Sequence, residues 1–530
     1  MRKWPAANCL ALFALAAAFR FLALKNGFVN DHFVYISGGR QMLLGEWPTR
    51  DWIDPGLPLM FGASALAQRI FGSTLFAEAM LVSIAFGLAA AFTVAAVRQL
   101  TGSTTLAILA ALFEIAVFPR TYSYPKIVAY AFEFWLYGRY VARPDRSRLC
   151  AMAAGVAIAF MFRHDHGLFL GAGAVLTILL AREAAWKTSL REVAIFTACL
   201  VALVLPYLIY VQAYGGLWLY FRNGIEFSQR EAARQWHVWP RIVGDQRPLE
   251  SAFVYELYLL PIIALGTLLA MRGRENWRSH AARVAPLAVV ALLVDFSFIR
   301  DPLNTRLADA IVPAVLLGAW LLWCGFGASR RAVAIPVALL LTMLVGASVL
   351  AVGFTHEELD RAGLLAHVRD IPHRFVERTT DLRSRFVDYQ LPTPAARRLV
   401  PFFQYVDRCT SPQDRLLVGG FLVEVPFYAQ RLFAGGQEYF GAYFGSAANE
   451  QFAFDRLERQ TVPFAIIPSD DLAEFDSRFP LVAAYVHAHY SPLTEVPLND
   501  EQTIHILVNR DTPATSRDPE TGWPCFQPVS

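Results

Sequence analysis

A helix needs about 17–25 predominantly apolar residues to cross a bilayer, and runs of that kind dominate the first two thirds of this 530-residue chain. Eleven are recognisable, at about 8–25, 74–97, 104–119, 125–142, 149–163, 167–181, 193–213, 253–271, 284–299, 307–326 and 332–353. Several are short or interrupted by a polar residue. So many apolar stretches cannot share one aqueous core. The composition agrees: 55% of the residues are apolar and only 17% charged, against about 45–50% and 25% in soluble domains. The chain reads as a polytopic α-helical membrane protein of about eleven transmembrane helices.

The charges between the runs give an orientation, because cytoplasmic loops carry the excess of Lys and Arg. With Arg2 and Lys3 inside, the inner loops hold Arg98, then Arg143, Arg146 and Arg148, then Arg182, Lys187 and Arg191. Arg272, Arg274, Arg278 and Arg283 follow, and last Arg330 and Arg331. The loops at 26–73, 120–124, 214–252 and 300–306 are mixed in sign. An odd number of spans then places everything beyond about 354 outside. The first run has the basic start and apolar centre of a signal peptide, but Arg20 interrupts its end without a clean cleavage site, so it is expected to stay as the first membrane helix.

Beyond the last run the pattern changes. Strand-like runs at 415–418, 432–434, 463–468 and 503–508 alternate with helical patterns at 447–460 and 471–489. Three regions are expected: a membrane domain over 1–353, a charged linker or surface helix over 354–395, and an outer α/β domain over 396–530. No glycine loop of the nucleotide-binding kind is present, since Gly419-Gly420 and Gly435-Gly436 are isolated pairs suited to turns. The net charge of +3 is too balanced for a nucleic-acid binder. The six cysteines have no zinc-site spacing. Cys9, Cys150, Cys199 and Cys324 fall in apolar stretches, whereas Cys409 and Cys525 lie in the polar tail and can pair if it faces an oxidising compartment.

Ionisable residues that lipid should have excluded are the informative ones. Four groups fall on the outer side of this topology. One is the loop after the first run, with Asn30-Asp31-His32 and then Glu46 to Leu59, including Asp51 and Asp54. The others are Arg120 to Lys126, Arg163-His164-Asp165-His166, and Arg300 to Arg306. Each has a plainer reading. Asp31 suits a helix cap, Asp51 and Asp54 suit a turn before Pro55-Gly56, and Arg120, Lys126, Arg300 and Arg306 suit interfacial anchors. The Arg163–His166 run suits a self-satisfied polar loop or, through His164, Asp165 and His166, a metal site. Glu114, Glu133 and Asp295 lie inside apolar runs, where they form a relay, pair with a buried Arg such as Arg20 or Arg139, or sit close to an interface. Between 214 and 252, Arg222, Arg230, Arg234, Arg241 and Arg247 alternate with Trp218, Tyr220, Trp236 and Trp239. That mixture suits the headgroup layer or a lid over a lipid phosphate.

In this layout the chain resembles the integral-membrane glycosyltransferases of the GT-C type, closest to the bacterial aminoarabinose-transferase and protein O-mannosyltransferase branch. The likeness rests on Asp31-His32 opening the first outer loop, the Gly45–Pro48 turn leading to Asp51–Leu59, Tyr124-Pro125-Lys126, and the outer α/β tail. It implies a bacterial inner-membrane enzyme with a cytoplasmic N-terminus and a periplasmic tail. The partners it implies are a polyprenyl-phosphate sugar, the lipid bilayer and an envelope acceptor (glycan, lipid or protein), with no nucleic acid. Asp31 occupies the family's base position, but His32 stands where the branch usually carries Glu. That leaves metal dependence, with a divalent ion as the possible cofactor, and the acceptor class open.

Transfer from a polyprenyl phosphate needs a base for the acceptor hydroxyl and cations for the departing phosphate. Asp31 is assigned as the base, with inversion at the anomeric carbon. Lys126, Arg163, Arg300 and Arg306 are the candidates for the phosphate, Lys126 and Arg163 foremost. His32, Asp51, Asp54, Asp165 and His166 are assigned to sugar or acceptor binding, Asp165 and His166 alternatively to orienting Arg163. Two rival classes remain: a secondary transporter using Glu114, Glu133 and Asp295, and a non-catalytic envelope assembly protein with the tail as its binding module.

Overall fold

The computed structural model describes residues 6–24, 28–29, 31–181, 186–234, 248–273, 277–298, 310–326, 368–441, 444–499 and 502–527, with a few positions between 353 and 360. Helix predominates. Leu75–Thr101, His164–Ala181, Trp186–Tyr214 and Trp277–Ser297 are long and apolar enough to cross a membrane. Cys9–Ala23, Thr104–Ala116, Tyr255–Ala270 and Ile311–Gly325 are shorter apolar helices. Ten of the eleven apolar runs coincide with helices; the eleventh, 332–353, lies almost wholly outside the described residues. The helices begin where the chain supplies a cap. Ser103 accepts from the Leu106 amide, Asp145 accepts from the Arg148 amide, and Pro125 stands in the first turn of Tyr124–Ala142.

The chain divides into two compact units. The first comprises Met1–Ala23, Val82–Tyr210 and Ala232–Ile371. Within it His164–Ala181 packs against Arg146–Phe162 and Trp277–Phe298, and Tyr124–Ala142 packs against Arg146–Phe162. Small residues allow the backbones to approach, as between membrane helices generally. A Cβ at Gly167 would fall 2.3 Å from the Phe160 Cα, and one at Gly173 would fall 2.6 Å from a Val290 methyl. Aromatic rings lie close to both arginines named as possible partners of the acids inside the apolar runs. Arg20 lies 3.8 Å from the ring centres of both Phe86 and Phe118, and Arg139 lies 5.0 Å from the Trp135 ring. Glu114 takes a hydrogen bond from Thr93, and neither oxygen of Glu133 has a hydrogen-bond partner. Aromatic faces favour the weakly hydrated guanidinium, and Arg139, unlike the buried Arg20, is exposed.

The second unit comprises Leu24–Leu81, Val211–Glu231 and Pro372–Ser530. The chain from Leu24 to Leu81, expected within a 1–353 membrane domain, thus groups with the tail. The tail is built on a five-stranded sheet of β1 (Arg415–Val418), β2 (Leu432–Phe433), β3 (Phe464–Pro468), β4 (Tyr490–Pro497) and β5 (Thr503–Asn509), in the order β2-β1-β3-β5-β4. β2, β1 and β3 run parallel, while β5 and β4 are antiparallel additions. All five residues of β3 are buried, as a central strand covered on both faces requires. The 471–489 pattern is two helices, Leu472–Arg478 and Pro480–His489, and the 447–460 pattern is the helix Ala447–Leu457. Within 360–395 the helix Ile371–Arg383 is largely exposed. Cys409 and Cys525 form a disulfide.

The early segment of this unit is a helical hairpin, Asp31–Leu43 against Pro58–Phe71. A Cβ at Gly38 would meet the Phe61 ring at 2.3 Å, so only glycine allows this approach. Asp31–Leu43 also packs on Val425–Ala429 and β2. Trp52 is fully buried, edge-on to Phe61 and Phe433 at 5.8 Å from each. The Ile53 amide donates to the Gly436 carbonyl at 3.0 Å, and Arg415 pairs with Glu46.

Candidate functional site

Three polar groups emerge from the predicted residues, one in the first unit and two in the second. The first is built at the break between Arg146–Phe162 and His164–Ala181. Arg163 adopts extended backbone there, ending one helix while the next begins at His164. Its Nε donates to both Asp165 oxygens, at 2.9 and 3.1 Å. Asp165 stands in the first turn of its helix, where a carboxylate complements the macrodipole, and accepts from the His166 amide at 2.9 Å. His166 is buried and its Nδ1 meets the Tyr130 hydroxyl. Lys126 is buried one turn before Tyr130, and its charge acts on Asp165 together with those of Arg163 and His166. Two cations and an imidazole thus surround one carboxylate. His164 turns elsewhere: it stacks on Phe160 at 4.2 Å and bonds that residue's carbonyl at 2.7 Å. His164, Asp165 and His166 therefore do not converge on one point as metal ligands. Among the described residues, the one group of three His, Cys, Asp or Glu side chains close enough for a shared ion is Cys409, Asp518 and Cys525. Its sulfurs are spent in the disulfide.

The second group surrounds Asp31. This residue opens the helix Asp31–Leu43 and is half-buried. His32 points inward. It is 1% exposed, edge-on to Phe28 at 4.6 Å, with Nδ1 3.5 Å from Glu78 Oε2. The other Glu78 oxygen accepts from the Ser64 hydroxyl. His32, assigned to sugar or acceptor binding, is therefore anchored to a buried carboxylate, and the adjacent Asp31 keeps the accessible position. Sequence reasoning missed Glu78, although it stands inside the 74–97 apolar run as Glu114 and Glu133 stand inside theirs; Ser64 carried no such signal.

The third group lies along the 45–57 loop. Asp51 accepts from the Trp47 amide at 2.8 Å and from Arg50 Nε at 2.7 Å, which is the turn role. Asp54 Oδ1 accepts from the Gly56 and Leu57 amides at 2.9 and 2.8 Å, closing a turn over Pro55. Its Oδ2 accepts from the Tyr220 hydroxyl at 3.1 Å. Asp54 is buried, and so is Glu438, two residues beyond the Gly436 carbonyl that receives the Ile53 amide. Burial first, and then the Asp54 charge, push the Glu438 carboxyl up to about 8. Glu438 Oε1 has no hydrogen-bond partner. Sequence reasoning missed this residue, because a single Glu after a glycine pair looks like an ordinary loop acid.

Of the predicted phosphate ligands, Lys126 and Arg163 fall in one group, with Asp165 and His166 beside them. Asp31 and His32 form a second group, Asp51 and Asp54 belong to a third, and Arg300 and Arg306 lie outside the described residues. No protein-family model matches the chain and no curated protein matches it in sequence, so these geometries alone carry the functional reading.

Proposed function

We propose that the protein is a membrane glycosyltransferase that moves a sugar from a polyprenyl-phosphate donor to an envelope acceptor, with eleven spans, a cytoplasmic N-terminus and a periplasmic tail. The observation that carries this reading is the group of Lys126, Arg163 and His166 around Asp165 at the start of a membrane-length helix. Cations at the end of an apolar helix match a lipid-linked phosphate, whose charge grows as the sugar leaves. In the proposed step the acceptor oxygen attacks the anomeric carbon from the face opposite the phosphate. The old carbon–oxygen bond breaks, its electron pair goes to the phosphate, and the acceptor proton goes to Asp31. Asp165 orients Arg163, and Tyr130 fixes the His166 ring. The Cys409–Cys525 disulfide supports an oxidising compartment for the tail.

The test is transfer from radiolabelled polyprenyl-phosphate sugars by the protein in nanodiscs, with envelope extract as acceptor. Asp31→Asn should lower turnover by roughly 10²–10⁴-fold, the range for a general base, with the fold retained. A fully active Asn variant removes the base assignment. A proton-coupled carrier is the second reading, favoured by the buried Glu133 carboxyl and by the partnerless Oδ2 of Asp295. It predicts no sugar transfer from any donor and a proton flux that Glu133→Gln abolishes.

A further inference from the structure

The helix Leu217–Arg234 presents three different faces. Tyr220, Asn223 and Phe227 point into their own unit. Tyr220 donates to Asp54, Asn223 Nδ2 lies 3.4 Å from Asn449 Oδ1, and Phe227 packs on Phe444 at 5.6 Å. Arg222, Glu226 and Arg230 form a ladder at i, i+4 and i+8, closed by bonds of 2.7 and 2.8 Å. Trp218, Phe221 and Ile225 share the remaining face at i, i+3 and i+7. Trp218 is 81% and Ile225 59% exposed, and Phe221 is exposed as well.

We infer that this helix lies flat in the bilayer surface, with Trp218, Phe221 and Ile225 in the lipid and the Arg222–Glu226–Arg230 ladder at headgroup level. Three exposed apolar side chains on one face cost free energy in water, at about 25 cal/mol for each Å² left wet, so burial of this face is favoured. Chain continuity identifies lipid. The helix Trp186–Tyr214 is long and apolar enough to span, and only 11% of its apolar window is buried within the protein. It ends at Tyr214, two residues before the new helix begins. Gly216, at φ 74°, supplies the turn, and its amide and that of Gly215 both bond the Val211 carbonyl at 2.9 Å. The four residues from Tyr214 to Trp218 reach about 14 Å at most, so Trp218 starts close to the membrane surface where the span ends. Trp is the residue that favours this layer, and arginines beside an apolar stripe keep their charges in the headgroups. The inference rests on membrane insertion alone and is independent of any transferase activity.

The test is spin-label accessibility in the full chain reconstituted in nanodiscs containing anionic lipid, with Cys9, Cys150, Cys199 and Cys324 replaced by Ala. Single labels go at Trp218→Cys, Phe221→Cys and Ile225→Cys, and for comparison at Arg222→Cys and Arg230→Cys on the ladder. The expected result is high oxygen and low nickel-chelate accessibility at 218, 221 and 225. A higher nickel-to-oxygen ratio, by several fold, is expected at 222 and 230. High nickel accessibility at all five positions would show a helix bathed in water and overturn the inference. Exclusion of both reagents at 218, 221 and 225 would show a protein partner on this face and overturn it equally. An elution profile matching the parent protein, required of each labelled variant, separates misfolding from either result.

Discussion

A single buried acid has the sharpest consequence at the scale of the residue. Glu438 keeps its proton in the folded protein up to about pH 8, whereas the unfolded chain releases it near the ordinary value of 4.5. The unfolded form therefore binds fewer protons in between, and stability falls as pH rises from about 4.5 to about 8, then levels off. Glu438→Gln is expected to flatten that fall; denaturation midpoints at pH 5 and pH 8.5 for both proteins measure it. Arg431 makes the opposite case, a buried cation kept because it is used. Its guanidinium bonds the Thr410 hydroxyl at 2.7 Å and the Val406 and Thr410 carbonyls at 2.9 Å each. Burial lowers its pKa to about 10, still well above neutrality. Replacing it by Met leaves these acceptors without donors and is expected to cost about 3–5 kcal/mol, the range for breaking a buried charge network, read by denaturant unfolding. Neither residue was legible in the sequence. Both sit in short connections whose burial depends on strands and helices far along the chain. Asp165 and Lys126 were legible, because a charge beside an apolar run is anomalous wherever the fold puts it.

Elements were legible to the extent that their pattern is local. The apolar runs within the described residues became helices, and β1, β3 and β5 stood near their expected positions; burial on both faces writes an uninterrupted apolar run in β3, whereas β5 is buried only at intervals. β4 was missed: it is the outermost strand, its burial alternates irregularly, and a shift in register lies between Pro492 and Thr494. The contact between Arg146–Phe162 and His164–Ala181 is the element-scale test. The missing side chain of Gly167 lets the helix start beside Phe160, and Gly167→Val places new atoms where a Cβ alone would already sit 2.3 Å from a backbone carbon. Overpacking costs roughly 1–3 kcal/mol or more. The variant is expected to lose thermal stability and to displace Arg163 from Asp165; Gly171→Val, where the nearest atom to a Cβ is 3.6 Å away, is expected to cost less. Melting curves in detergent rank the two.

At the scale of the whole molecule, the sequence separates a membrane part from a tail but does not show that residues 24–81 fold with that tail. Hydropathy reads neighbours along the chain, and the contacts that join Trp52 to Phe433 or Glu46 to Arg415 leave no local trace. The Cys409–Cys525 disulfide closes a separation of 116 residues, worth about 4–5 kcal/mol in the chain-entropy account. Cys525→Ala is expected to lower the denaturation midpoint of the second unit accordingly, and added reductant should lower the parent protein to the same midpoint but leave the variant unchanged.

Arg40 donates to the carbonyl of Gln430, 390 residues later, and that distance is also a delay. At about 5–20 residues per second, the hairpin of Asp31–Leu43 and Pro58–Phe71 waits roughly 20–80 seconds after its own synthesis for the partner it packs on. Through that interval Phe33 and Trp52, fully buried in the finished protein, have no tail to cover them. The cell must keep this half-built domain from sticking to something else while the intervening helices are made, so a holding factor in the compartment where the domain folds should matter more to the yield of this protein than to its final stability.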